Sequence, residues 1–345
     1  MTRRFRVVFP VARGFYDRKI TMDGVQHTTE PYTRIDHSNP QHARTVLVDW
    51  MLGNACSYAC SYCPKALHDG TIRWQKTEDV LTLYHQMKSH YAQERNKLVW
   101  LQFTGGEPTM HPRIIDLLKE ASALGFRVSL ISNASRTVRF WHKIRDYLDS
   151  VILTYHNEFA TLDHFIDVGQ LLVEQMNVHI NVTMHPERFE RTYDEARALR
   201  AALPKATITL KPLRVGFESE LYDYSDAQLR ILGKGVPSSV RSDGITPRST
   251  MQATTATGAC DTLRANDFIL QDINRWQGYQ CNIGLESLRI KGSGEVLRAV
   301  CGVGGRIGQL GGEIALPTQA IQCTKPSCAC VADILTTKAK PVTAA

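Results

Sequence analysis

The chain has 345 residues, 43% hydrophobic and 22% charged, with a formal net charge of +7. This is the composition of a globular chain long enough for one large core and a smaller second one. No run approaches the roughly 20 apolar residues that cross a bilayer, and arginines interrupt the opening MTRRFRVVFPVARGF before a signal-peptide core forms. No membrane partner is expected, and the reading is cytoplasmic.

Residues 1–44 read as a basic N-terminal extension, of which residues 1–20 carry Arg3, Arg4, Arg6, Arg13, Arg18 and Lys19 against only Asp17. Such an arm is more often a solvated terminus than a polyanion-binding one, and the charge supports DNA as a partner without deciding it. Residues 45–232 then alternate β-rich runs with amphipathic helical patterns, the signature of βα units around a parallel sheet. The strands are 46-VLVDWML-52, 98-LVWLQFT-104, 127-RVSLIS-132, 151-VILTYH-156, 178-VHINVTM-184 and 206-ATITLKPL-213. Helices are expected at about 76–94, 112–124, 137–148, 159–175 and 189–202. Residues 233–262, rich in Gly, Ser, Thr and Pro, read as a linker or mobile loop, and residues 263–345 as a small cysteine-bearing domain.

Parallel α/β sheets place ligands at the carboxyl ends of their strands, and there the chemistry gathers. After the first strand comes 54-NACSYACSYCPKALHDG-70, with Cys56, Cys60 and Cys63 at spacings of four and three. A structural zinc site normally brings a fourth ligand close by, so the missing ligand is informative. After the second strand comes 104-TGGEPT-109, in which Gly105 and Gly106 allow close backbone approach and Glu107 adds a carboxylate expected to face a ligand. After the third comes 132-SNAS-135, offering hydroxyl and amide groups that suit a sugar.

The C-x3-C-x2-C motif with Tyr62 before its last cysteine, followed one βα unit later by GGEP, resembles the radical S-adenosylmethionine (SAM) superfamily over about residues 45–215. The resemblance implies a partial (βα)6 TIM-like barrel. It also implies a [4Fe-4S] cluster held by Cys56, Cys60 and Cys63, with SAM on the open fourth iron and an external donor of the flavodoxin or ferredoxin type. Reductive cleavage of SAM would then yield methionine and a 5′-deoxyadenosyl radical that abstracts a substrate hydrogen. Tyr62, Gly105, Gly106, Glu107, Pro108, Ser132 and Asn133 match cofactor-binding positions. Thr154, Tyr155, His156, Met184 and Lys211 end later strands and are expected to point into the barrel mouth, Thr154 and Met184 toward the cofactor and His156, Tyr155 and Lys211 as catalytic candidates. For each of these a core or rim role is at least as common.

A second cysteine set lies downstream. In 281-CNIGLESLRIKGSGEVLRAVC-301 two cysteines flank a predicted hairpin that would bring them together, and 323-CTKPSCAC-330 supplies three more. Cys281, Cys301, Cys323, Cys328 and Cys330 offer four ligands for an auxiliary [4Fe-4S] cluster with one thiol to spare, an arrangement that resembles the twitch and SPASM extensions of the same superfamily. A small zinc site is the competing reading. Cys260 reads as a free thiol.

Fold and cofactor do not choose a substrate. Three readings stay open: a modifier of nucleic-acid bases or nucleotides, a peptide maturase, and a non-catalytic iron-sulfur or zinc scaffold that binds nucleic acid. The runs LQFTGGEPTMHP, SNASRTVRFW and LTYHNEFATLDHF resemble a group of twitch-type radical proteins of bacteria and their viruses, some tied to thymine hypermodification in viral DNA. That resemblance implies an isomerase moving an amino-acid adduct on thymidine from a nitrogen-linked to a carbon-linked form.

Overall fold

The computed structural model describes residues 30–217, 220–236, 246–328 and 330–341, without the side chains of Asn266 and Leu270. Arg3, Arg4, Arg6, Arg13, Arg18 and Lys19 of the N-terminal arm all lie outside the described residues.

The fold is mixed α/β, built on two sheets. The strands in chain order are β1 (Tyr32–His37), β2 (Thr45–Met51), β3 (Leu98–Thr104), β4 (Arg127–Ser132), β5 (Ser150–Tyr155), β6 (Asn177–Met184), β7 (Thr207–Pro212), β8 (Met251–Thr255), β9 (Cys260–Leu263), β10 (Gln280–Cys281), β11 (Ser287–Ile290), β12 (Glu295–Leu297), β13 (Arg306–Gln309), β14 (Ile321–Gln322) and β15 (Lys338–Ala339). β2 to β7 fall within a residue or two of the predicted runs and pair in parallel in sequence order. Helices at Thr77–Met87, Ile114–Ala123, Val138–Ile144, Leu162–Val173 and Phe189–Ala202 connect them. These units are consistent with the expected partial (βα)6 barrel.

Alternation along each strand sorts the two faces of this sheet. Val46, Val48 and Trp50 of β2, Leu101 and Phe103 of β3, Leu153 and Tyr155 of β5, and Val182 and Met184 of β6 join one apolar core with helix residues such as Leu83, Leu117, Trp141, Phe165 and Leu199. The opposite, inner face is more polar, and carries Gln102, Ser129, Thr154, His179, Asn181, Thr183 and Lys211 on strands whose register aligns them.

Three differences from the sequence reading follow. First, the sheet has nine strands rather than six, because β11 adds parallel to β2 and β12 and β13 follow antiparallel. Second, the expected linker holds β8 and most of β9, which pair with each other, and β8 also pairs with β1 in a six-stranded antiparallel sheet ordered β14-β10-β15-β1-β8-β9. Threonine-rich composition reads as loop, yet in 251-MQATT-255 alternate residues Met251, Ala253 and Thr255 are buried, which is strand behaviour. Third, the predicted N-terminal extension contributes β1, whose Ile35 lies in the second core with Met251, Phe268 and Trp276.

One buried carboxylate joins the sheets. Glu286, just before β11, accepts hydrogen bonds from His37 Nε2 of β1 at 3.0 Å, Thr337 N at 2.9 Å and Asn282 Nδ2 at 2.7 Å. Burial alone would raise its pKa, but these partners pull it down to about 2. A depressed carboxylate contributes stability that is complete above its unfolded value of 4.5 and is lost as pH falls toward the folded one. The thermal midpoint is therefore expected to drop as pH falls below 4.5, and Glu286→Ala should destabilise by about 3–5 kcal/mol by leaving His37 and two donors unpaired. Thermal denaturation of the two proteins at neutral and acid pH checks both statements. Among the described residues, no helix is long and apolar enough to cross a membrane.

Candidate active site

The three cysteines lie on the loop that leaves the carboxyl end of β2, and all nine cysteines of the chain are free thiols. Cys60 is buried, and Cys56 and Cys63 half-buried. Burial pushes the Cys60 and Cys63 thiols up to about 11 and raises that of Cys56, so each holds its proton until a cation takes its place. Cys56 Sγ accepts from Tyr58 N at 3.4 Å and Asn133 Nδ2 at 3.6 Å, the kind of donor that a metal-bound thiolate uses. Among the described residues, no three His, Cys, Asp or Glu side chains converge closely enough to hold a single metal ion. Three thiols that each take a separate iron have no need to, and the set of three suits a cluster with one open iron.

Gly105 and Gly106 follow the end of β3 and lie against this loop. Gly105 has φ 142°, and an added Cβ would sit 2.3 Å from the Gly53 carbonyl oxygen; at Gly106 it would sit 2.3 Å from that of Ala55. Gly106 N donates to Gly53 O at 3.2 Å and Glu107 N to Ala55 O at 2.8 Å, so the strip is laced to the cysteine loop through backbone alone. No side chain fits there.

The Glu107 carboxylate, expected to face a ligand, is fully buried and accepts from Thr109 N (3.0 Å), Thr109 Oγ1 (2.6 Å), Ser132 Oγ (2.9 Å) and Asn133 N (2.7 Å). It therefore positions the turn after β3 against the one after β4. Ser132 is spent on that carboxylate, whereas Asn133 reaches Cys56 and Ser57 with its amide. Pro108 is buried and opens the short turn Pro108–Met110.

At the ends of β5 and β6 a chain of polar groups meets the cysteine loop. Tyr62 Oη lies 2.5 Å from His156 Nδ1 and 3.0 Å from Thr183 Oγ1, which itself donates to Tyr155 O at 2.9 Å. Every proton is used once if His156 Nδ1–H donates to Tyr62, Tyr62 to Thr183 and Thr183 to the carbonyl. The Tyr62 and His156 rings stack at 6.0 Å, and Tyr58 packs edge-on against His156 at 6.1 Å. Burial pushes the His156 pKa down to about 4, so the imidazole is neutral near pH 7 with Nε2 as its acceptor. Glu158 ties the same loop down by accepting from Ser61 N and Ser61 Oγ.

Of the remaining expected positions, Thr154 and Lys211 lie on the inner face with Thr183, but Tyr155 and Met184 do not. Tyr155 is buried in the helix-side core with its ring 5.1 Å from that of Phe165, and Met184 is buried there too. Both sit one residue out of step with the inner face. Thr183 was missed, although the alternation in 178-VHINVTM-184, apolar at even and mostly polar at odd numbers, points to it.

In the C-terminal region Cys281 and Cys301 share a small apolar cluster with Ile283, Ala299 and Val303, as the predicted hairpin requires. The hairpin itself is β11 and β12, while Cys281 lies in β10 of the other sheet. Burial raises the pKa of Cys281 and Cys328 and pushes Cys301 up to about 12 and Cys330 up to about 11. Asp333 acts on all four, and its Oδ2 accepts from Cys301 N at 2.6 Å. Cys260 is exposed in β9, away from these groups.

Residues 50–212 match the family model of the radical SAM superfamily. The chain carries a radical SAM domain. Its cysteine loop, GGE strip and β7 all fall inside the match. Two curated relatives are S-adenosylmethionine-dependent nucleotide dehydratases. That of Fibrobacter sp. (strain UWH6) is 26% identical over 99 residues, 27% of this chain and 28% of the relative. That of Flammeovirga pacifica is 29% identical over 113 residues, 31% of this chain and 37% of the relative. The chain thus spans about a third of the length of these relatives. Among solved structures, Streptococcus suis SuiB bound to S-adenosylmethionine has 14% identity and a TM-score of 0.45 over 75% of this chain and 61% of that one. Native anSMEcpe with bound AdoMet has 15% identity and a TM-score of 0.46 over 79% of each.

Proposed function

We propose that the protein cleaves SAM reductively and directs the resulting radical at a nucleotide-class substrate, most specifically a thymidine in viral DNA that carries an amino-acid adduct. The product would be the carbon-linked isomer of a nitrogen-linked adduct. The observation that carries the radical reading is the set of three free thiols at the carboxyl end of a parallel sheet, laced by backbone to a side-chain-free glycine strip. When bound there, a [4Fe-4S] cluster and SAM supply a 5′-deoxyadenosyl radical. The chain's own part is to hold the cluster through Cys56, Cys60 and Cys63, to brace that loop with the close-packed backbone of Gly105 and Gly106, and to keep a neutral His156 at the same end of the sheet for proton transfer. The nucleotide class is supported by the names of the two curated relatives, and the thymidine adduct by the sequence resemblance. An external flavodoxin- or ferredoxin-type protein would provide the electron.

We further propose an auxiliary [4Fe-4S] cluster in a twitch-like C-terminal region, held by four of Cys281, Cys301, Cys323, Cys328 and Cys330. Protein reconstituted anaerobically is then expected to carry about eight irons and eight sulfides, two clusters of four. Four irons with one zinc would sink the auxiliary cluster. The functional test is mass spectrometry of nucleosides from adduct-bearing viral DNA incubated with reduced enzyme and SAM. Release of 5′-deoxyadenosine with an adduct of unchanged mass but altered fragmentation is the expected result. Release of 5′-deoxyadenosine with turnover only on a peptide would make the protein a maturase, and intact clusters with no release under any reductant would make it a scaffold.

A further inference from the structure

We infer that His156 takes the ring N–H of the substrate base on its Nε2, and that Thr183, acting through Tyr62, is the positioning residue that keeps His156 an acceptor. This rests on the proposed nucleotide-class reading and adds to it the edge of the base by which the substrate is held.

The order of protons starts at a backbone carbonyl. Thr183 Oγ1 lies 2.9 Å from Tyr155 O, and a carbonyl only accepts, so the hydroxyl proton of Thr183 is spent there. Its oxygen is left with lone pairs to offer Tyr62 Oη at 3.0 Å, which makes Tyr62 the donor of that contact. Tyr62 has a single proton, so at its 2.5 Å contact with His156 Nδ1 the ring nitrogen carries the hydrogen. Any other order forms two bonds where this one forms three, and turns two lone pairs on each other between groups of which Thr183 and Tyr62 are buried. Cys60 packs with Tyr62 in one small cluster, and any pull of its sulfur on the phenol draws the same proton away from His156.

The ring is fixed in place as well as in tautomer. Tyr62 stacks on it at 6.0 Å and 14°, and Tyr58 meets it edge-on at 6.1 Å. Among the described residues no group of the chain bonds Nε2, and that atom is not closed off from solvent. A nitrogen that can only accept therefore stands just past β5, at the end of the sheet where the cysteine loop lies. It repels carbonyl oxygens and takes N–H or O–H groups. Next to it Tyr58 and Phe159 stack at 5.3 Å and 17°, with Phe159 45% exposed, so flat aromatic surface adjoins the acceptor. A planar heterocycle with an N–H on its edge suits both features. Thymine carries one such group at N3, and the adenine amino group of SAM is the other nucleobase donor at hand.

Three probes separate the two sources: a thymidine whose 5-methyl carbon carries glycine through nitrogen, the same nucleoside methylated at N3, and SAM. Each is dialysed to equilibrium against the reconstituted full chain as wild type, Thr183→Val, Thr183→Ser and His156→Gln. Thr183→Val keeps the shape but removes the oxygen that takes the Tyr62 proton, so Tyr62 donates to Nδ1 and the ring turns an N–H, rather than a lone pair, toward the base. The unmethylated nucleoside is expected to bind wild type more tightly than the methylated one and to lose about 10- to 100-fold in Thr183→Val, the loss of one hydrogen bond with two donors left facing each other. Thr183→Ser should restore it, and the methylated nucleoside, with no N–H to offer, should not lose affinity in Thr183→Val. Nitrogen NMR of histidine-labelled protein with its clusters oxidised should show the His156 hydrogen on Nδ1 in wild type and Thr183→Ser and on Nε2 in Thr183→Val, the signal being the one missing in His156→Gln. Circular dichroism and cluster absorption report whether a variant is folded. A wild-type hydrogen on Nε2, or a tautomer that Thr183→Val does not move, refutes the positioning role. Equal losses for the two nucleosides refute the N–H contact, and a loss for SAM in place of the nucleoside overturns the substrate assignment and gives the acceptor to adenine. Binding that depends on the N–H without release of 5′-deoxyadenosine by wild type would leave the subsite standing and remove the radical reading; release without such binding would do the reverse.

Discussion

Replacing Cys56, Cys60 and Cys63 together with alanine is expected to bring SAM cleavage to background, a fall of at least about 10⁴-fold against the 10⁶-fold or greater acceleration usual for enzymes. The three thiols are the ligands the loop offers, and burial keeps them protonated until metal displaces the protons. Without them Tyr58 N and Asn133 Nδ2 lose the sulfur they share at Cys56, so the loop is left with donors and nothing to bind. The fold should survive, because the loop is fixed independently: Glu158 accepts from Ser61, Tyr62 is held by His156 and Thr183, and Glu107 N bonds to Ala55 O. Iron content should fall by half, from about eight to about four, if the C-terminal cysteines hold a second cluster. Retained cleavage of SAM in the triple variant would overturn the assignment of the loop.

The parts of this site that were legible in the sequence are those fixed by short-range chemistry. Cysteine spacing, paired glycines and the apolar runs of β2 to β7 declare themselves within a few residues. Which face a strand-end residue takes is decided by alternation, and Tyr155 and Met184 were placed by position at the strand end instead; each sits one residue away from the inner face that Thr154 and Thr183 share. Long-range pairing was not legible. The four residues of β11 find β2 some 240 positions earlier in the chain, as Leu288 pairs with Val48, and nothing local to SLRI distinguishes a seventh parallel strand from a simple hairpin arm. β1 and β8 met the same limit, since a lone strand among polar residues gains its burial only from partners that the sequence does not name.

Glu107 provides the second large effect, and its direction separates two roles for the same residue. A carboxylate that bound the cofactor would, when replaced, raise the KM for SAM and leave the fold intact. The structure instead gives it four intramolecular donors, two of them the backbone amides of Thr109 and Asn133, in a position closed to water. Glu107→Ala is therefore expected to cost about 3–5 kcal/mol of stability, the range for stripping a buried charged group from its partners. Glu107→Gln should cost less but remain destabilising, because its amide nitrogen turns a second donor toward one of the four existing ones. Loss of Glu107 also frees Asn133, whose amide spans Cys56 and Ser57, so the cluster environment should change along with stability. Denaturant unfolding and the electron paramagnetic resonance spectrum of the reduced cluster, recorded without SAM, read the two consequences separately. A raised KM for SAM with unfolding and spectrum both unchanged would return Glu107 to the cofactor; a coupled shift in both places it beneath the strip, holding β3 and β4 in register with the cysteine loop.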